Sequence, residues 1–332
     1  MRRLLTIITT IIACFATVLH AQTEPMLTQY FEVPSYYNPG AIGRTDNVRF
    51  RAGARLQWVG VDNAPTTFLL TADMPLKLLG KRWGIGLVMQ QDKAGLYTNM
   101  SGGLQIAYKQ KLGKGTLTGG IQLGIVNEGF KGSEVKLDFD DDYHSGTDDA
   151  IPTTDVNGTA FDMGLGVMYD HPLFYAGLSC THLLEPTINF SGESLTTSEG
   201  TATTSEARRY QFDVKRSLYF IGGSNIPIKN TLFEVMPSVL VATDLTTYTF
   251  EATARARWKK FLTFGVGYRY NDAVSAMVAG EYKGFFLSYS YDYPVTAMSR
   301  VSSGSHEIMA GYSLKLDLGE KNRNRHKSIR IM

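Results

Sequence analysis

Between Val48 and Trp58 apolar and polar residues alternate without a break. Val48, Phe50, Ala52, Ala54, Leu56 and Trp58 take one set of positions, and Arg49, Arg51, Gly53, Arg55 and Gln57 take the other. Successive side chains of a strand face opposite sides of its sheet, so the segment predicts a strand with an apolar face backed by arginines. An ordinary sandwich buries one face and wets the other, and arginines behind an apolar face suit it poorly. A wall with lipid on one side and water on the other fits the pattern.

The pattern recurs. Phe68, Leu70, Ala72 and Met74 alternate with Thr67, Thr71 and Asp73; Trp83, Ile85, Leu87 and Met89 with Gly84, Gly86 and Gln90. Leu104, Ile106 and Tyr108 form the next run, then Leu117, Ile121, Leu123 and Ile125, then Phe161, Met163, Leu165, Val167 and Tyr169. Weaker strands are predicted at 174–182, 209–222 and 232–242, the last interrupted by Pro237. Phe250, Ala252, Ala254, Ala256 and Trp258 echo the first segment against Glu251, Thr253, Arg255 and Arg257; Phe264, Val266, Tyr268 and Tyr270 follow, then 274–282, 285–293 and 306–318. The total is about fourteen segments, an even number as closed bacterial barrels have. Beyond the N-terminus no run approaches the roughly 20 apolar residues of a membrane helix.

The connections test this independently. If the mature N-terminus begins in the periplasm, every second connection is periplasmic and short. Those are 75–82, 110–115, 170–172, 224–230, 259–260 and 283–284, whereas the long connections 127–158, 183–207 and 294–305 all fall in the other set. Trp58, Trp83, Trp258, Tyr169, Tyr270, Tyr282 and Tyr293 lie near predicted strand ends, where aromatic rings rest at headgroup level.

Composition narrows the picture. Among 332 residues, 33 Gly, 18 Tyr and 17 Phe favour strands and turns. Arg2 and Arg3, an apolar run from Leu4 to Leu19 and the sequence Leu19-His20-Ala21 read as a signal peptide over 1–21, ahead of a lipoprotein reading of Cys14 or a retained anchor. Its removal leaves 31 Lys+Arg against 31 Asp+Glu, so bulk charge gives no sign of nucleic-acid binding. Cys180 is then alone and has no disulfide partner within the chain.

Gln29-Tyr30, Tyr37-Asn38-Pro39-Gly40, Gly43, Arg55-Leu56-Gln57-Trp58 and Ala64-Pro65-Thr66-Thr67 together resemble the N-terminal signature of the PorP/SprF family of type IX secretion proteins. Gly84-Ile85-Gly86 with Asp92-Lys93-Ala94-Gly95, and Ser305-His306-Glu307-Ile308, resemble later blocks of that family. The resemblance implies an outer-membrane component of the secretion and gliding machinery of Bacteroidota. The implied partners are the periplasmic ring lipoprotein and ring subunits, and secreted cargo or an adhesin carrying a C-terminal sorting domain.

Candidate chemistry is sparse. Asp138, Asp140, Asp142 and Asp149 have calcium-loop spacing, but Tyr143 replaces the glycine of the turn; a solvated acidic loop is the plainer reading. Ser179, Cys180 and His182 raise a hydrolase, with Cys180 and His182 on one strand face and no third group to orient the histidine. No phosphate loop, zinc spacing or haem motif occurs, so neither cofactor nor metal is expected. The lumen arginines, Arg49, Arg51, Arg55, Arg255, Arg257 and Arg269, are expected to pair with Asp73, Glu251 and Glu281.

The sequence therefore predicts an all-β protein, a transmembrane antiparallel up-and-down β-barrel of about 14 strands, with no enzymatic role. Its expected divisions are the signal peptide 1–21, a periplasmic or lumen-plugging segment 22–47, the barrel 48–318 and a basic periplasmic tail 319–332. Gln29, Tyr30, Tyr37, Asn38, Pro39, Gly40, Arg55, Gln57 and Trp58 are the expected lumen or partner contacts. The expected role is that of a membrane scaffold in type IX secretion or gliding; the alternatives are a channel or hydrophobic-solute transporter, and a membrane hydrolase.

Overall fold

The computed structural model describes residues 24–135, 152, 154–191 and 209–316. The signal peptide 1–21, the acidic loop 138–149 and the tail 319–332 lie outside the described residues. The strands are β1 Asn47–Leu56, β2 Thr66–Leu78, β3 Lys81–Ala94, β4 Tyr97–Leu112, β5 Gly115–Lys131, β6 Asp155–Asp170, β7 Phe174–Thr181, β8 Thr187–Ser191 and β9 Arg209–Asp213. They continue as β10 Ser217–Ser224, β11 Ile226–Pro227, β12 Phe233–Thr243, β13 Tyr248–Trp258, β14 Leu262–Arg269, β15 Ala273–Tyr282, β16 Phe285–Pro294 and β17 Ser305–Lys315.

Fourteen of them form a closed antiparallel wall. β8 and β9 form a separate hairpin, and β11 is a two-residue addition beside β12. Closure comes from β1 against β17, paired from Asn47↔Lys315 to Leu56↔His306. On the far side β7 pairs with β10, and β10 with β12. The ladder between β12 and β10–β11 is interrupted opposite Pro237, which has no N–H to donate.

The alternation read from the sequence is the alternation of the wall. Phe68, Leu104, Leu178 and Leu287 are more than half exposed on the outside, while Thr67, Thr71 and Asp73 are buried inside. Apolar surface of this extent around a whole barrel is stable only against hydrocarbon. No described helix is long and apolar enough to cross a membrane; this chain crosses with strands.

The ends of the barrel differ. One carries the tight connections 79–80, 113–114, 171–173, 259–261 and 283–284 together with 225–232. The other carries the short connections 95–96, 244–247 and 270–272 together with 57–65, 132–154, 182–216 and 295–304, the last three being the longest of the chain. Some strand limits differ from expectation, and the expected strand 209–222 is two strands, β9 in the separate hairpin and β10 in the wall. β1 ends at Leu56, because Trp58 adopts a left-handed backbone (φ 50°) in the following loop, and β7 ends at Thr181, because His182 does the same (φ 50°).

Residues 24–46 thread the barrel from end to end. Glu24 meets Thr181 and Tyr219 at the long-loop end, and Gly43 and Arg44 meet Asp73 and Asp170 at the short-turn end, from which β1 begins. The segment contains a one-turn helix, α1 Pro34–Tyr37, and a 3-10 turn, Pro39–Ala41. Pro34 and Pro39 each stand where the first turn's free N–H would otherwise go unbonded, and Asn38 accepts the Gly40 N–H at 2.7 Å. Leu27, Tyr30, Val33, Tyr37, Ala41 and Ile42 are almost wholly buried. All but Ile42, which lies against Gly84 and Gly86, form one cluster with Leu69, Met168, Ile221, Leu240 and Met309, so this apolar core lies inside the barrel's own pore.

Candidate functional site

Residues 24–44 are hydrogen-bonded and ion-paired to the inner wall along their length. Near the long-loop end the Glu307 carboxylate of β17 accepts the main-chain N–H groups of both Thr28 and Gln29 at 2.9 Å. The Thr28 hydroxyl donates to Asp292 of β16 at 2.7 Å and accepts from Arg55 of β1 at 2.9 Å and from Arg269 of β14 at 3.1 Å. Arg55 closes the set by pairing with Asp292 at 2.7 Å and Glu307 at 3.2 Å. Arg269 reaches Glu251 of β13 at 2.9 Å.

These groups are fully enclosed: Arg55 is 2% exposed, and Glu251 and Glu307 are each 1% exposed. Buried charges of this kind are tolerated only when paired and hydrogen-bonded on all sides. The segment completes the set by supplying two N–H groups and one hydroxyl. Gln29 adds a bond from its amide to Ser290 at 3.3 Å, and Tyr30 one from its hydroxyl to Ser238 at 3.0 Å.

The middle of the segment lies against β3–β7. The Asn38 amide donates to the carbonyls of Val167 and Leu178 at 3.1 and 3.3 Å, which face each other across the β6–β7 ladder. Ser179 donates to the Tyr37 carbonyl at 2.6 Å, and Gln105 to the Ser35 carbonyl at 2.8 Å. Such closeness needs a wall without side chains. A Cβ on Gly84 would stand 2.8 Å from the Ile42 carbonyl, and one on Gly177 2.7 Å from the Asn38 amide; one on Gly120 or Gly166 would overlap Pro39 or Asn38 outright. The Tyr37 hydroxyl accepts the Leu27 N–H at 3.0 Å, which folds the segment on itself.

Toward the short-turn end Asp73 accepts the Gly43 N–H at 2.7 Å and pairs with Arg49 at 3.0 Å. Lys109 donates to the Gly43 carbonyl, and Arg44 pairs with Asp170 while lying over the Tyr175 ring. Glu32 faces Arg51 at 3.7 Å and Arg255 at 4.0 Å, the latter stacked on Phe31.

At the long-loop end the hydrolase reading is corrected. Beyond the end of β7 the left-handed backbone turns His182 into the lumen, whereas Cys180 faces outward, so the two do not share a face. The histidine does have orienting groups: Glu24 at Nε2 and Asp162 at 2.9 Å from Nδ1. Its pKa is lowered by burial but raised further by Glu24 and Asp162, to about 10. Both ring nitrogens are thus committed to carboxylates, and Ser179 spends its proton on Tyr37. The cluster is an ion-pair latch on the first described residue of the segment, with Tyr219 and Thr181 also donating to Glu24. No group of His, Cys, Asp and Glu among the described residues is arranged to hold a metal.

Of the residues singled out from the sequence, Gln29, Tyr30, Tyr37, Asn38, Pro39, Gly40 and Arg55 come together inside the barrel. Gln57 and Trp58 do not. They belong to the loop after β1, with the Gln57 N–H on the Pro65 carbonyl at 2.9 Å and the Trp58 N–H on Ser305 at 3.1 Å. Asp73 and Glu251 pair directly with arginines, whereas Glu281 is exposed and acts on Arg51 only as a nearby charge. Sequence reasoning missed Asp292, Glu24 and the glycine track. A lone acid or glycine at an inward strand position carries no mark of what it faces.

The comparisons with known proteins agree with the fold. The profile of the family described as type IX secretion system membrane protein PorP/SprF matches residues 19–312. No curated protein matches the chain. Among solved structures, the Ralstonia pickettii toluene transporter TbuX is 10% identical with a TM-score of 0.50, over 85% of this chain and 93% of that one. The P. putida toluene transporter TodX is 11% identical with a TM-score of 0.45, over 84% and 92%. A Pseudomonas aeruginosa FadL homologue is 9% identical with a TM-score of 0.45, over 82% and 89%. At these identities the likeness concerns the barrel alone.

Proposed function

The chain belongs to the PorP/SprF family of type IX secretion system membrane proteins, as an integral outer-membrane barrel, and from that premise we propose that it is a closed scaffold rather than a pore. Residues 22–47 act as its lumen plug, held by Gln29, Tyr30, Tyr37, Asn38, Pro39, Gly40 and Arg55. Residues 1–21 are a leader removed on export, and the tail 319–332 lies in the periplasm with the short turns. The scaffold holds the periplasmic ring lipoprotein and ring subunits at the membrane, where they help export or attach cargo with a C-terminal sorting domain. Family and fold are those of a secretion or transport membrane protein, and the reading assigns no catalytic residue.

The observation that carries this reading is the Glu307 carboxylate clasping two successive main-chain N–H groups of the segment, deep inside the barrel. A segment bound through such enclosed ion pairs costs several kcal/mol to withdraw, whereas a solute pore needs a path. Two measurements test it together. Affinity purification from the native outer membrane is expected to bring the periplasmic ring subunits with the barrel. In planar bilayers the intact protein is expected to hold no open pore, and a variant lacking 26–42 to conduct. Steady conductance by the intact protein, with no ring subunits captured, decides for a channel.

A further inference from the structure

The two ends of the barrel carry opposite charge. Among the described residues, ten exposed lysines and arginines stand at the short-turn end against the exposed carboxylates of Asp46 and Glu281. Among the described residues of the long-loop end, five exposed carboxylates outnumber three exposed cations. Five of the six short connections or their flanking strand ends present a lysine: Lys81, Lys114, Lys229, Lys259 with Lys260, and Lys283.

We propose that this rim is a binding surface for the anionic headgroups of phospholipids in the adjoining leaflet. Three observations favour lipid over any other acidic partner. The ammonium groups point to the membrane side: Lys259 lies 4.7 Å over the ring of Trp258 and Lys283 5.3 Å over that of Tyr282, and both rings face outward. Large apolar side chains stand beside these lysines, with Leu79 89% exposed and Phe261 and Phe285 also exposed, so the cations border apolar surface of the lipid-facing belt. The third observation is conformational. Lys259, Lys260 and Lys283 adopt φ of 51°, 56° and 50°, where Gly or Asn would sit with less strain. The chain keeps a cation at positions that disfavour it, which points to a role for the charge. A lysine above an interfacial aromatic buries its stem in the ring and leaves its ammonium at phosphate depth.

The test uses the full chain, purified from vesicles of phosphatidylcholine and phosphatidylglycerol, with the retained lipid measured by native mass spectrometry. Wild type is expected to retain phosphatidylglycerol over phosphatidylcholine by ~10-fold or more, less so in high salt. A variant carrying Lys81→Gln, Lys114→Gln, Lys229→Gln, Lys259→Gln, Lys260→Gln and Lys283→Gln is expected to retain the two equally, with its heat-modifiable gel migration unchanged. Arginine at the same six positions is expected to keep the preference. Equal retention by wild type, or a preference that survives in the glutamine variant, overturns the proposal. So does capture of an acidic protein through these lysines without any lipid preference, or full displacement of the lipid by inorganic phosphate.

Discussion

Asn38 occupies the space that a side chain on Gly166 would need. The asparagine bridges two carbonyls of the β6–β7 ladder and caps the turn that follows it, so the wall and the segment are fitted to each other at this point. Gly166→Val is therefore expected to push the turn off the wall while leaving the barrel closed. The expected result is a loss of about 1–3 kcal/mol, read as a lower thermal midpoint, together with conductance in planar bilayers. Gly119, whose Cβ would meet open space, is the control and is expected to accept Ala without opening the pore. An intact, silent Gly166→Val barrel would refute the fit.

Arg55 neutralises two carboxylates that have no route to water. Arg55→Ala leaves Asp292 and Glu307 buried and opposed, and is expected to cost about 3–5 kcal/mol. Adding Asp292→Asn and Glu307→Gln to that variant is expected to restore part of the loss, since the repulsion goes with the charges. Chemical denaturation in detergent of wild type, Arg55→Ala, the Asp292→Asn/Glu307→Gln double variant and the triple variant measures it, and strictly additive losses would contradict the network.

The latch at Glu24 predicts a pH dependence. His182 lies between Glu24 and Asp162, with Thr181, Tyr219 and Glu128 also facing the cluster. Its pKa of about 10 exceeds the ordinary value of 6.5, so folding favours the protonated ring. The stabilisation is complete below the ordinary value and is lost as pH rises toward about 10. The thermal midpoint of wild type should fall across that window relative to that of His182→Gln, the two converging at the alkaline end. Parallel curves would show that the ion pair adds nothing.

Ser179 donates its proton to the Tyr37 carbonyl at 2.6 Å rather than to His182, whose Nε2 is on Glu24. A fluorophosphonate probe is expected to label the protein no more than it labels Ser179→Ala. Cys180, on the outer face of the same strand, is expected to react with a bilayer-partitioning maleimide faster than with a charged one.

Period-two alternation determined much by itself. The apolar positions of Phe68, Leu104 and Leu178 needed no neighbour to declare their side, because a strand in a one-sided lipid environment writes its facing into every second residue. Covalent connectivity of an up-and-down barrel likewise put the three longest loops at one end, although that end also holds the short connections 95–96, 244–247 and 270–272. The inward face was different. Gly84, Gly120, Gly166 and Gly177 carry no local mark of a neighbour, yet each makes room for one chain segment that passes through the pore. Glu307 was visible only as part of a block resembling a family, and Asp292 not at all; both lie more than 200 positions from Thr28. Closing the barrel between β1 and β17 is what brings Arg55, Glu307 and the threaded segment together. Long-range charge pairing in an enclosed lumen leaves no local signature, so only the tertiary structure decided what fills this barrel and which residues hold it there.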